Sequence, residues 1–120
     1  MAAPSEGDLL KLEQGRAAFN REQYFEAHEL WEEAWRALDG AERFQAQGLI
    51  QIAAGLHHLQ QGRPRPAVGL LRKGLEKVSQ GTFAVHVDLQ VEALANDVAR
   101  LIADLEWPGM KLAPLQLPKL

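Results

Sequence analysis

The sequence predicts an all-α fold of about five helices, with two antiparallel helical hairpins packed around a central third helix and an extended C-terminal tail. Three observations carry this. Apolar residues recur at helical spacing in five segments, and no segment shows the period-two alternation of a half-buried strand. The breaks between segments are helix punctuation: Asp39-Gly40, Gly62 with Pro64 and Pro66, Gln80-Gly81-Thr82, and Trp107-Pro108-Gly109. The chain has 120 residues, 47% hydrophobic and 24% charged, which suits one helical domain over residues 1–107 and a Pro/Leu tail over 108–120.

The first helix is expected from about Ser5 to Phe19. Ser5 suits an N-cap, and Glu6 and Asp8 are favourable in a first turn. Leu9, Leu12, Arg16 and Phe19 share one face, on which Arg16 is the polar exception. The second helix runs from about Glu22 to Leu38, with Asp39-Gly40 as its stop signal. The third runs from about Ala41 to Gln61 and stops at Gly62. From Gly48 to Leu59 it is apolar nearly all round, as a helix surrounded by others must be. Gly48 and Gly55 each cost about 1 kcal/mol against alanine inside a helix. They share a face, so a close approach to a neighbouring helix is the compensating gain. The fourth helix starts at Pro64 or Pro66, tolerated in a first turn, and runs to about Ser79. The fifth runs from Val87 or Asp88 to Leu105. Pro108, Pro114 and Pro118 then hold the tail extended. Its Leu112, Leu115, Leu117 and Leu120 need a groove between helices, in this chain or in a second copy.

The chain matches itself at an offset of 40 residues. Phe19 pairs with Leu59, Ala27 with Ala67, Leu30 and Trp31 with Leu70 and Leu71, Ala34 and Trp35 with Gly74 and Leu75, and Leu38 with Val78. The match reads either as a repeated helical hairpin or as the likeness that any two amphipathic hairpins share.

Several function classes fall away. With no cysteine, disulfides, thiolate zinc sites and thiol catalysis are excluded, which fits a reducing cytoplasm. No apolar run approaches the ~20 residues of a membrane span, and the first residues lack the basic start and apolar run of a signal peptide. Net charge is −3, which opposes general nucleic-acid binding. Residues 1–60 carry five Lys/Arg against ten Asp/Glu, and residues 61–120 carry eight against six. The acidic stretch Glu22 to Asp39 and the basic stretch Arg63 to Lys77 are either solvated faces or complementary surfaces.

One polar cluster stands out, in the run from Tyr24 to Trp35. At about 100° per residue, with Tyr24 at 0°, His28 falls near 40°, Trp31 near 340° and Trp35 near 20°. His28 therefore sits inward among aromatics. Glu32, near 80°, borders that stripe one turn from His28, while Glu26, Glu29 and Glu33 face solvent. On the third helix Gln47, Gln51 and His58 share a stripe with Ala54, Gly48 and Gly55. Buried imidazoles and amides need partners, since an unsatisfied one costs about 1–3 kcal/mol. His28 and Glu32 are thus expected to meet Gln47, Gln51 or His58, either as a register-fixing network or as a ligand or ion site. Catalytic templates fail. His28-Glu29 is followed by Glu32 where a zincin needs its second histidine. No Glu-x-x-His pair offers a di-iron site. His57 and His58 point about 100° apart and make a poor chelating pair. Ser5, Ser79 and Thr82 sit in terminal or turn regions, unsuited to nucleophilic catalysis.

The run Phe19-Asn20-x-x-x-Tyr24-Phe25-Glu26-Ala27-His28-Glu29-x-x-Glu32-x-x-Trp35, followed by Gln47-Gly48-Leu49-Ile50-Gln51-Ile52-Ala53-Ala54, resembles domain-of-unknown-function family 309, small all-helical bacterial and archaeal proteins. The resemblance covers about Leu12 to Leu75. It implies an all-α fold and a cytoplasmic setting and no particular activity. It also marks the motif positions matched by His28, Glu29, Glu32, Gly48 and Gln51. The leading expectation is a non-catalytic module that binds a protein partner and itself, as a homodimer, without cofactor or membrane. The alternative is an enzyme or small-ligand binder with His28 as general base or metal ligand and Glu32 orienting it or sharing a divalent ion, in a pocket edged by Tyr24, Trp31 and Trp35. Nucleic-acid binding through Arg63, Arg65, Arg72 and Lys73 is opposed by the acidic total.

Overall fold

Ser5 begins the first helix as the spacing of Ser5 and Asp8 implies. Its hydroxyl accepts the Asp8 N–H, and the Asp8 carboxylate accepts the Ser5 N–H. These bonds, the Ser5 backbone first, hold the Asp8 carboxyl below the usual carboxylate range. The computed structural model describes residues 5–79, 91–106 and 117–120. Its helices are α1 (Glu6–Asn20), α2 (Tyr24–Trp35), α3 (Gly40–Gln60), α4 (Pro64–Val78) and α5 (Val91–Glu106). The expected break at Gln80-Gly81-Thr82, the start of the fifth helix at Val87 or Asp88, and most of the tail lie outside the described residues. Among the described residues no helix is long and apolar enough to cross a membrane.

Helix α2 is shorter than predicted. After Trp35 the chain tightens: the Ala37 N–H bonds to the Ala34 carbonyl and the Leu38 N–H to that of Trp35, at 3.0 and 3.1 Å. Asp39 is extended and is the N-cap of α3, which Gly40 opens with φ at 57°. The pair starts α3 instead of stopping α2. Asp39 caps through its backbone, its carbonyl accepting the Arg43 N–H at 3.2 Å with no side-chain capping bond, and Gly40 takes the left-handed turn that glycine favours. Leu38 is buried from the turn all the same.

The 40-residue repeat is written into the backbone. Glu22 and Gly62 both adopt left-handed conformations, φ 62° and 74°. Around them every turn hydrogen bond recurs: Glu22 to Phe19 as Gly62 to Leu59, Gln23 to Ala18 as Arg63 to His58, Ala27 to Gln23 as Ala67 to Arg63. The order of buried and exposed positions from Ala27 to Asp39 is reproduced position for position from Ala67 to Ser79. Gly15 and Gly55 are also equivalents. Each lies under the equivalent residue of the next helix, where a Cβ would overlap the Trp31 indole at Gly15 and press tightly on Leu71, at 3.0 Å, at Gly55. The two hairpins are one unit used twice.

Successive helices pack in order, α1 on α2, α2 on α3, α3 on α4 and α4 on α5, in a body of 49 × 25 × 21 Å. Helix α3 is central, as its all-round apolar surface requires. In the first hairpin Phe19 meets Tyr24 edge-on at 5.2 Å between ring centroids and Trp31 at 5.5 Å. The Trp31 indole N–H donates to the Leu12 carbonyl at 3.0 Å. Helix α5 adds Leu94, Val98, Leu101 and Ile102 to the core, and Arg72 pairs with Glu106 across α4 and α5.

Residues 117–120 return to α1. Leu120 is buried; its N–H donates to Asn20 Oδ1 at 2.6 Å, and Arg16 Nε donates to its carbonyl at 3.0 Å. Lys119 donates to the Asn20 carbonyl at 2.8 Å and pairs with Glu22 at 3.3 Å. Arg16, a charge on an apolar face, thereby finds a partner at the far end of the chain.

Candidate functional site

Because α2 and α3 run antiparallel, the first turns of α2 lie beside the last turns of α3. Gln60 ties this end together, donating to the Glu22 carbonyl at 2.9 Å. Between the helices lies a cleft of about 190 Å³, lined by Phe25 and His28 from α2 and Ala54, His57 and His58 from α3. The Phe25 ring is 54% exposed. It stacks on His28, with centroids 6.1 Å apart and planes 20° apart, and leans on His57 at 5.4 Å.

His28 Nε2 lies 3.4 Å from Glu32 Oε1, one helical turn on, an ion pair whenever the imidazole is protonated. The carboxylate favours the tautomer with its proton on Nε2, which leaves Nδ1 as a hydrogen-bond acceptor. Nδ1 of His28 and Nδ1 of His58 are both buried without a hydrogen-bond partner. Buried lone pairs of this kind are costly.

The predicted residues do not form one cluster. The His28 side chain is 25% exposed and Glu32 48% exposed, so the pair is less enclosed than the wheel implied. Tyr24 and Trp31 are buried toward α1 with Phe19, away from the cleft. The cleft beside His28 is edged by Phe25, Ala54, His57 and His58, and Tyr24, Trp31 and Trp35 do not line it. Helix α2 has neighbours on two sides, and a modest rotation around its axis separates the residues that serve each. Burial, helped by the Glu22 charge, pushes the Tyr24 phenol above its ordinary value, and its hydroxyl has no hydrogen-bond partner. Trp35 clamps the α2–α3 turn: its N–H donates to the Arg43 carbonyl at 3.0 Å and the Arg43 guanidinium lies 4.0 Å over its ring.

Glu29 is exposed on α2. Its neighbour Glu33 pairs with Lys11 of α1 at 2.6 Å, which holds its carboxyl below the usual range. Gln47 and Gln51 are half-buried, and Gln51 Oε1 lacks a hydrogen-bond partner. His58 reaches the cleft; neither glutamine lines it. Gly48 and Gly55 both lie against α4. A Cβ on Gly48 would come within 2.8 Å of Lys77 Cβ and 2.9 Å of the Gly74 carbonyl, and one on Gly55 within 3.0 Å of Leu71 and 3.1 Å of the Ala67 carbonyl.

Phe25, Ala54 and His57 are the lining residues that sequence reasoning passed over. The wheel argument leaves Phe25 without a role, and His57 reads from sequence only as a poor chelating partner of His58. Among the described residues no three His, Asp or Glu side chains converge as a metal site, and the His57 and His58 ring centroids are 6.5 Å apart. The cleft is smaller than the ~300–1,000 Å³ typical of sites for drug-sized ligands. It fits one side chain or one small planar group.

Comparison with protein-family models matches residues 12–70 to the family described as Domain of unknown function (DUF309). Comparisons with curated proteins and with solved structures give no match.

Proposed function

We propose, from the premise that the chain belongs over residues 12–70 to the DUF309 family, that it is a cytoplasmic, non-catalytic module that binds protein segments and assembles with a second copy of itself. The duplicated hairpin is the observation that carries this reading. Stacked helical hairpins make continuous surfaces for partners, and this one leaves Phe25 exposed at the mouth of a side-chain-sized cleft. Self-association is supported by charge. Exposed positions related by the repeat carry opposite signs, Glu32 against Arg72, Glu33 against Lys73, and Arg36 against Glu76. A two-fold axis parallel to α2 and α4 that laid α2 of one copy along α4 of the other would oppose these pairs in register, and closed two-fold dimers are the commonest homo-oligomers.

The cleft also supports a second reading, a small-ligand or divalent-metal binder or an enzyme. There His28 would act as general base or ligand and Glu32 would orient it, as their 3.4 Å separation allows. Native mass spectrometry of freshly purified protein separates the two. A dimer mass with no added ligand is the expected result. A monomer that retains a small molecule or ion lost in the His28→Ala variant would replace the first reading with the second.

A further inference from the structure

The cleft between α2 and α3 has a chemistry that names its occupant. Phe25 stands at its mouth, Ala54 and three imidazoles line it, and no lysine or arginine does. The Phe25 ring is half in solvent, and a planar cation stacks well on an exposed ring face. The Nδ1 atoms of His28 and His58 are buried without hydrogen-bond partners, and Nε2 of His28 faces the Glu32 carboxylate at 3.4 Å. Glu32 stands one turn beyond His28, and Glu29 one turn beyond Phe25, both exposed. An apolar stacking face, imidazole walls and the Glu32 carboxylate beside His28 together call for a flat group that donates hydrogen bonds and carries positive charge.

We propose that this cleft is the seat of a single arginine side chain on a segment of a partner protein. The guanidinium is planar, always charged and rich in donors, and it stacks on aromatic rings where a lysine ammonium offers only a point charge. It would lie on Phe25 and turn its N–H groups toward Glu32 and the imidazole walls. The small volume admits one such group and its stem. This rests on the reading of the chain as a partner-binding module and adds the chemistry of the partner.

The test uses the full chain and free amino-acid derivatives, so it does not depend on whether the protein dimerises. The α-N-acetyl methylamides of arginine, citrulline and lysine are titrated separately, with the imidazole and Phe25 ring resonances followed by NMR. Citrulline keeps the shape of arginine and removes its charge. The arginine probe should shift His28, His58 and Phe25 together, and citrulline should bind about tenfold more weakly or not at all. Phe25→Ala should abolish the shifts at His28, and Phe25→Leu, which keeps an apolar side chain, should weaken them less. Glu32→Gln should lower the affinity for arginine several-fold. Equal binding of citrulline would overturn the proposal in favour of an uncharged occupant, and equal binding of lysine would overturn the guanidinium assignment. Cleft resonances that shift on concentrating the protein alone would give the seat to a second copy and likewise overturn it.

Discussion

The two hairpins share one backbone plan and fill it by opposite means. In α1–α2 the space is occupied by rings: Phe19, Tyr24 and Trp31 pack together and Trp31 lies over Gly15. In α3–α4 the equivalent of Trp31 is Leu71, and the backbones close the gap themselves. A Cβ on Gly74 would fall 2.6 Å from both the Gly48 carbonyl and Ile52 Cγ1. The same burial pattern therefore admits two packing solutions, one set by side-chain volume and one by backbone approach. The first should fail when volume is removed, the second when volume is added.

Removing the largest ring is the strongest way to break this contrast. Trp31→Ala should cost about 4 kcal/mol, cavity and lost indole hydrogen bond included, and Leu71→Ala, its repeat equivalent, about 3 kcal/mol. Urea denaturation of both variants provides the check. A smaller loss at Trp31 than at Leu71 would mean that the aromatic hairpin is not held by volume.

Adding volume probes the other side. Gly48→Leu should cost about 3 kcal/mol, because its Cβ meets Lys77 Cβ and a backbone carbonyl. Gly55→Leu should cost about 2 kcal/mol, since the nearest atoms include the movable tip of Leu71. Thermal melts that place either variant at or above the parent would contradict close approach as the reason for these glycines.

Tyr24 sharpens the comparison through pH. Burial, with Glu22 adding to it, raises the phenol in the folded state. The unfolded chain ionises first, so this group's contribution is complete below about pH 10 and is lost as pH climbs toward the folded value. Tyr24 is the chain's one tyrosine, so tyrosinate absorbance reports it alone. The absorbance should rise together with the loss of helical circular dichroism, not before it. Tyr24→Phe should leave stability at neutral pH within about 1 kcal/mol, because the hydroxyl it removes has no partner.

The smallest effect is expected at His28. Its inward wheel position alone would suggest 1–3 kcal/mol for a stranded partner. With both members of the His28–Glu32 pair partly in solvent, His28→Ala should cost less than about 1 kcal/mol. A denaturation midpoint lowered by more than that would show that the cleft histidines are built into the core.

What was legible in the sequence follows from what is local. Helical periodicity placed α1, α3 and α4 to within a residue or two, and two glycines in a helix apolar all round announced the close approach to α4. The repeat was visible as matched residues; the matched left-handed turns at Glu22 and Gly62 confirmed it. The misplacements come from one source, partners that no single helix reveals. A wheel gives α2 one buried stripe, yet α2 lies between α1 and α3, so Tyr24 and Trp31 turn one way and His28 the other. Arg16 reads as a flaw in an apolar face because, beyond its ion pair with Glu13 one turn away, it donates to Leu120, 104 residues distant. Asp39-Gly40 can end one helix or begin the next, and only the burial demands of Leu38 and α3 decide. Phe25 escapes the wheel because nothing in one helix shows that this aromatic is left exposed beside the histidines of α3.

Sedimentation of the full chain at low and high salt, beside a truncated chain ending at Trp107, tests the reading of the duplicated hairpin as an interaction module most directly. The expected result is a dimer that loosens as salt screens the oppositely charged faces of α2 and α4. A monomer at high micromolar concentration in both chains and both salts would contradict it.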